Sequence, residues 1–200
     1  SIYGKIFYSL AVCVLSVVAL DLITVAEVNR QLAADSALVL WLAAVFWLGL
    51  YQKTGKGITT NKIILATVGV LVLVSMAVSV MTIKSSNLYF LLSLVLVVSC
   101  ADISAFVGGK LFGRRKLMPN VSPGKTWEGL IFGILGAMLI GNLIYLVNPV
   151  PNLYIWNAVV AITTLAAVVG DLFESMIKRF RKVKNSGTVL PGHGGVLDRL

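Results

Sequence analysis

Long apolar stretches separated by short polar ones dominate the chain. They run over residues 6–25, 36–52, 63–83, 88–107, 129–147 and 154–173. Each approaches the ~20 residues that a helix needs to cross ~30 Å of hydrocarbon, the second being the shortest. Pro149 and Pro151 divide what is otherwise one uninterrupted apolar run, so a tight turn is expected between the fifth and sixth stretches. An open sheet cannot satisfy its edge backbone groups in lipid, so the stretches are predicted to be helices. The expected fold is all-α: a polytopic integral membrane protein of about six transmembrane helices.

Charge tests that count independently. The loops over 53–62, 108–128 and 174–200 hold three, five and six Lys/Arg, whereas the intervening ones hold Arg30, Lys84 and none. Strict alternation of this kind is the positive-inside pattern and puts the basic loops on the cytoplasmic side. The net charge of +9 therefore does not indicate nucleic acid, because the basic residues sit between apolar runs without interleaved aromatic residues. With 58% hydrophobic and 12% charged residues, the composition is that of a membrane protein. Cys13 and Cys100 both lie in apolar runs without metal-like spacing and read as packed thiols. Gly133, Gly136 and Gly141 have the small-residue spacing of close helix packing.

Three carboxylates interrupt the apolar stretches, each at a cost of about 2.5–3.5 kcal/mol at a helix centre and less near an end. Asp21 lies towards the outer end of its stretch, where snorkelling or a helix–helix hydrogen bond accounts for it. Asp102 and Asp171 lie towards the basic, cytoplasmic side and are candidates for function. If the sixth helix continues past Asp171, then Asp171, Glu174, Ser175 and Lys178 share one face at i, i+3, i+4 and i+7. Beyond it, Pro191-Gly192-His193-Gly194-Gly195 turns the chain tightly and returns Asp198 beside Arg199. Carboxylates among many cations suit a hard metal ion and phosphate groups. His193 has neither a second His nor a nearby Cys with which to build a zinc site, and reads as a turn residue or a phosphate contact. Arg181 and Lys182 read as a juxtamembrane cluster attracted to anionic lipid.

A second constellation lies between the fourth and fifth stretches. Gly124-Lys125-Thr126 invites a phosphate-loop reading, but that pattern needs Gly at the position of Pro119 and a strand before it. Ser122, followed by Pro123, is instead expected to cap the fifth helix, whose N-terminal N–H groups would face an anion with Lys125 alongside.

Both constellations resemble a known family. Ser175-x-Ile177-Lys178-Arg179, four residues, Lys184-x-Ser186-Gly187, then Leu190-Pro191-Gly192-His193-Gly194-Gly195-Val196-x-Asp198-Arg199 closely resembles the signature of the phosphatidate cytidylyltransferases (CDP-diacylglycerol synthases) of bacterial type. Ala101-Asp102, Gly109-Lys110-x-Phe112-Gly113 and Ser122-Pro123-Gly124-Lys125-Thr126-Trp127-x-Gly129 extend the likeness back to residue 101, while residues 1–100 match only as apolar helices. Two departures stand out: Asn185 where the family usually has Asp, and an end at Leu200 where the family pattern continues with another Asp. The second suggests a fragment.

The resemblance implies one transmembrane catalytic domain over 1–200, with the motifs in 101–200. It implies a nucleotidyltransferase of phospholipid biosynthesis that joins CTP to phosphatidic acid and releases pyrophosphate at the cytoplasmic face of a bacterial-type inner membrane. Asp171, Asp198 and Lys178 would be catalytic, with Asp171 and Asp198 holding Mg²⁺. Asp102, Ser122, Lys125, Thr126, Ser175, Arg179, His193 and Arg199 would bind substrate. A second cation and a homodimer are admitted without being required. The nearer alternative is a CTP-dependent lipid kinase of the polyprenol or phytol type. An ion-coupled transporter is a more distant one, because its charged residues would gather near the midplane in paired halves.

Overall fold

The computed structural model describes residues 27–55 and 62–180. The elements are helices α1 (Glu27–Thr54), α2 (Lys62–Ser86) and α3 (Leu88–Phe112), strands β1 (Lys116–Met118) and β2 (Ser122–Thr126), and helices α4 (Trp127–Val147) and α5 (Leu153–Phe180). They match the second to sixth apolar stretches, and the first stretch, with Asp21 and Cys13, lies outside the described residues. Among the described residues, four segments are long and apolar enough to cross a membrane: Thr67–Ser85, Leu88–Phe112, Trp127–Val147 and Leu153–Arg179. Ile103, Phe106, Leu135, Leu139 and Ile162 are exposed on α3, α4 and α5. Hydrocarbon tolerates such a surface and water does not. The protein is an all-α polytopic membrane protein.

Helix boundaries follow local chemistry. Gly55, at φ 65°, takes the left-handed conformation past α1 and donates its N–H to the Tyr51 carbonyl at 2.8 Å. Asn87 separates α2 from α3: its N–H donates to Ile83 O at 3.0 Å, while its Oδ1 accepts from Tyr89 N at 2.9 Å. Asn152, past the two prolines, starts α5 in the same way by accepting from Tyr154 N at 2.9 Å and Ile155 N at 3.1 Å. The expected turn between the fifth and sixth stretches is therefore present, with an Asx cap beside it.

Chain contacts define two compact units, residues 1–44 with 58–92 and residues 45–57 with 93–200. The second unit carries the motifs. Along its α3–α4 seam, small residues let the backbones close in. A Cβ added at Gly133 would lie 3.1 Å from Ala105 Cβ, and one at Gly129 only 2.9 Å from the Ala105 carbonyl oxygen. Phe112 and Phe132 stack at 5.1 Å between centroids with 4° between planes. Lipid supplies no hydrophobic drive between helices, so such close van der Waals contact holds the seam. The α4–α5 seam adds polar ties: Trp156 Nε1 donates to Gly141 O at 2.8 Å, and Asn142 Nδ2 donates to Asn157 Oδ1 at 3.1 Å. Ala137 and Thr164 are completely buried. Within the same unit, the end of α1 packs on α5 through an edge-to-face contact of Trp47 with Phe173 at 5.8 Å.

Candidate active site

The polar end of this unit is built on a feature that sequence reasoning missed, an antiparallel hairpin between α3 and α4. β1 and β2 pair Lys116 with Thr126 and Met118 with Ser122, with an irregularity between. Pro119-Asn120 supplies the turn, and Val121 N donates to Met118 O at 3.1 Å. The hairpin is fastened at several points. Trp127 N donates to Arg115 O at 3.0 Å. The Glu128 carboxylate accepts from Arg114 N at 3.0 Å and Arg115 N at 3.2 Å, closing the base. Asn120 Nδ2 donates to Gln52 O at 2.9 Å, tying the turn to the end of α1. The fully buried Val121 offers its carbonyl to Arg179 Nε at 3.4 Å, a long contact that ties the turn to α5.

The expected cap is corrected by this hairpin. Ser122 lies in β2, and the N-cap of α4 is Thr126, at φ −128° and ψ 156°, whose Oγ1 accepts from Gly129 N at 3.1 Å. Ser-Pro is the stronger N-terminal signal in sequence because proline suits the first helical position. Here strand pairing carries the chain through that position, and the helix begins four residues later. Thr126, expected among the substrate contacts, is buried with its hydroxyl spent on the cap. The Gly-Lys-x-Phe-Gly run also serves packing. An added Cβ on Gly109 would lie 3.1 Å from Thr126 Oγ1, and one on Gly113 2.1 Å from Gly109 O.

Fixing Thr126 aims the preceding residue. The Lys125 ammonium pairs with the Asp171 carboxylate on α5, the side chains being 26% and 52% exposed. Asp102, exposed on α3, lies within electrostatic range of both. One turn on from Asp171, Glu174 Oε1 lies 3.1 Å from Nζ of Lys178, an i,i+4 pair. α5 continues to Phe180, so Asp171, Glu174, Ser175 and Lys178 share a helical face as expected. The structure thus brings Lys125 to Asp171 with Asp102 nearby, and puts Ser175, Lys178 and Arg179 on the same helix. Glu128 and Asn120 were not anticipated. A Pro-Asn pair between two short polar–apolar runs was the available signal for the turn. Asp198, His193, Arg199 and Asn185 lie outside the described residues.

Whether this donor set suits a magnesium ion can be judged from its chemistry. No group of three or more His, Cys, Asp or Glu is gathered for a metal among the described residues. Mg²⁺ rarely asks for one, since it binds through one or two carboxylates and takes its other ligands from phosphate and water. Asp171 is a hard, half-exposed oxygen donor that already attracts a cation. The residues fit.

A helical membrane bundle bearing a cationic hairpin against a carboxylate-bearing helix end defines a polytopic membrane protein with charged groups gathered at its polar edge. Comparison with known proteins narrows the class. A model of the cytidylyltransferase family matches residues 3–200, and the chain belongs to that family. It is 34% identical over 197 residues to the phosphatidate cytidylyltransferase of Haemophilus influenzae, covering 90% of this chain and 67% of the relative. The Rickettsia bellii enzyme of the same name is 36% identical over 186 residues, covering 80% and 76%. That of Staphylococcus aureus is 41% identical over 117 residues, covering 58% and 45%.

Proposed function

We propose that the protein is a phosphatidate cytidylyltransferase, making CDP-diacylglycerol and pyrophosphate from CTP and phosphatidic acid. Family membership over residues 3–200 supports the reaction, and the observation that carries the site is the meeting of Lys125 with Asp171 at the polar end of the bundle. A phosphate oxygen of phosphatidic acid attacks the α-phosphorus of CTP in line. The bond from that phosphorus to the bridging oxygen breaks, and pyrophosphate leaves with the electron pair. Such a displacement asks the protein for positioning and charge neutralisation more than for covalent help.

Lys125, Lys178, Arg179 and Arg199 are assigned to the phosphates, and Ser122 and Ser175 to hydrogen bonds with phosphate oxygens. Asp102 and His193 complete the substrate-facing set, and Thr126 acts by fixing the backbone beside Lys125. Asp171 and Asp198 are the residues to hold Mg²⁺, which when bound supplies charge neutralisation along the triphosphate. The diacylglycerol tails remain in lipid, which accounts for a site at the membrane edge. The five basic residues of loop 108–128 support a cytoplasmic-facing site in a bacterial-type inner membrane.

CTP labelled at one phosphate at a time tests the reaction on purified protein with phosphatidic acid. Label in lipid from the α-phosphate is expected. Label from the γ-phosphate would identify a lipid kinase, and label from neither would refute both. For sidedness, a single cysteine at Asn120 should resist an impermeant thiol reagent in intact cells; labelling from outside would overturn the orientation.

A further inference from the structure

We propose that Lys125 is a placeholder cation for Asp171. Its ammonium holds the carboxylate until nucleotide arrives, then passes to the triphosphate and leaves Asp171 to a divalent metal. The inference rests on the functional reading above and adds an order to it: tight metal binding at Asp171 follows the nucleotide.

Three features of the site carry it. Lys125 and Asp171 are paired yet 26% and 52% exposed, so an incoming charged ligand can reach and exchange the contact. The backbone under Lys125 is held in place: Thr126 caps α4, Glu128 closes the hairpin base, and Asn120 and Val121 tie the turn to α1 and α5. The exchange is therefore confined to the lysine side chain, a flexible four-carbon stem with a compact charge at its tip. Asp102 lies within electrostatic range of both partners, so removing the ammonium leaves the repulsion between the two carboxylates without a compensating cation. Lys178 does not share this role, because its ammonium lies against Glu174 on its own helix.

An ammonium and a divalent cation repel each other across a single carboxylate, and the ammonium must be displaced before the metal binds well. Partial exposure keeps that penalty to about tenfold in affinity. The metal alone is the probe. Mn²⁺ is titrated into the purified protein without nucleotide, and free Mn²⁺ is read from its paramagnetic resonance signal.

Lys125→Met is expected to bind Mn²⁺ about tenfold more tightly than the unaltered protein, and Lys125→Arg, which keeps a cation, close to the unaltered value. Adding Asp171→Asn to Lys125→Met should abolish the gain. Unchanged or weaker Mn²⁺ binding by Lys125→Met would overturn the proposal, as would a gain that survives loss of Asp171. Cooperative thermal unfolding checks that each variant is folded, and Lys125→Gln replaces Lys125→Met if that variant is not. Failure of the functional reading is distinguishable, because it would appear as no α-label in lipid from the unaltered protein, whatever the Mn²⁺ titration gives.

Discussion

Two neighbouring residues at the start of α4 belong to regions built from opposite materials. Thr126 faces the α3–α4 seam, where glycine, alanine and a buried hydroxyl pack so closely that an added methyl group has no room. Lys125 faces the end of α5, where it meets the partly exposed Asp171 carboxylate in an ion pair. The dry side is fixed by shape and the wet side by charge. The contrast explains how one short hairpin can hold a cation in place without committing it permanently. Glu128 repeats the lesson among the carboxylates. It accepts two backbone N–H groups and serves structure, while Asp171 is half-exposed and paired with a lysine side chain.

The largest break should come on the wet side. Asp171→Asn keeps shape and removes a charge, and is expected to lower turnover by about 10³-fold or more, the scale of lost transition-state charge stabilisation. Raising Mg²⁺ should recover part of the loss if weakened affinity is the main defect, and folding stability should change little, since an exposed ion pair contributes only about 0–1 kcal/mol. Turnover across a Mg²⁺ titration, beside a melting curve, separates the two effects.

Damage on the dry side should have the opposite signature. In Gly113→Ala the new Cβ would lie 2.1 Å from Gly109 O and 2.9 Å from Thr126 Cγ2, so backbone must move. A loss of about 1–3 kcal/mol in stability is expected, seen as a lower unfolding midpoint, with Mg²⁺ dependence of the surviving activity unaltered.

Smaller effects sharpen the boundary. Glu128→Ala leaves the Arg114 and Arg115 N–H groups to solvent and loosens the hairpin base. The bonds are exposed to solvent, so only a small fall in the unfolding midpoint is expected. Because Lys125 is then aimed less well, the KM for CTP should rise while kcat changes less. Asn120→Ala removes the 2.9 Å bond to Gln52 O and should cost about 0.5–1.5 kcal/mol, with a few-fold rise in the same KM. A change confined to kcat in either variant would show that the hairpin does not act by positioning.

The helices were legible because hydrocarbon imposes length and composition on every span, and α2 to α5 coincide with apolar stretches within a turn or two. The face carrying Asp171, Glu174, Ser175 and Lys178 was legible because helical periodicity is local. The hairpin was not. Its strands contain Pro123 and Gly124, both poor strand formers, and its stability comes from partners distant in sequence: Gln52 for Asn120 and Arg179 for the Val121 carbonyl. The Ser122 cap failed for the same reason, a strong local signal overridden by tertiary pairing. The glycines at 109 and 113 entered only as part of the family likeness, and the structure shows them serving close packing around Thr126.

A double-mutant cycle in kcat/KM for CTP measures directly whether Lys125 and Asp171 act as one unit. Lys125→Met and Asp171→Asn are each expected to lower kcat/KM strongly, and the double variant to be little worse than the more damaging single one. Losses that multiply, as for independent sites, would contradict a shared site at the meeting of hairpin and helix.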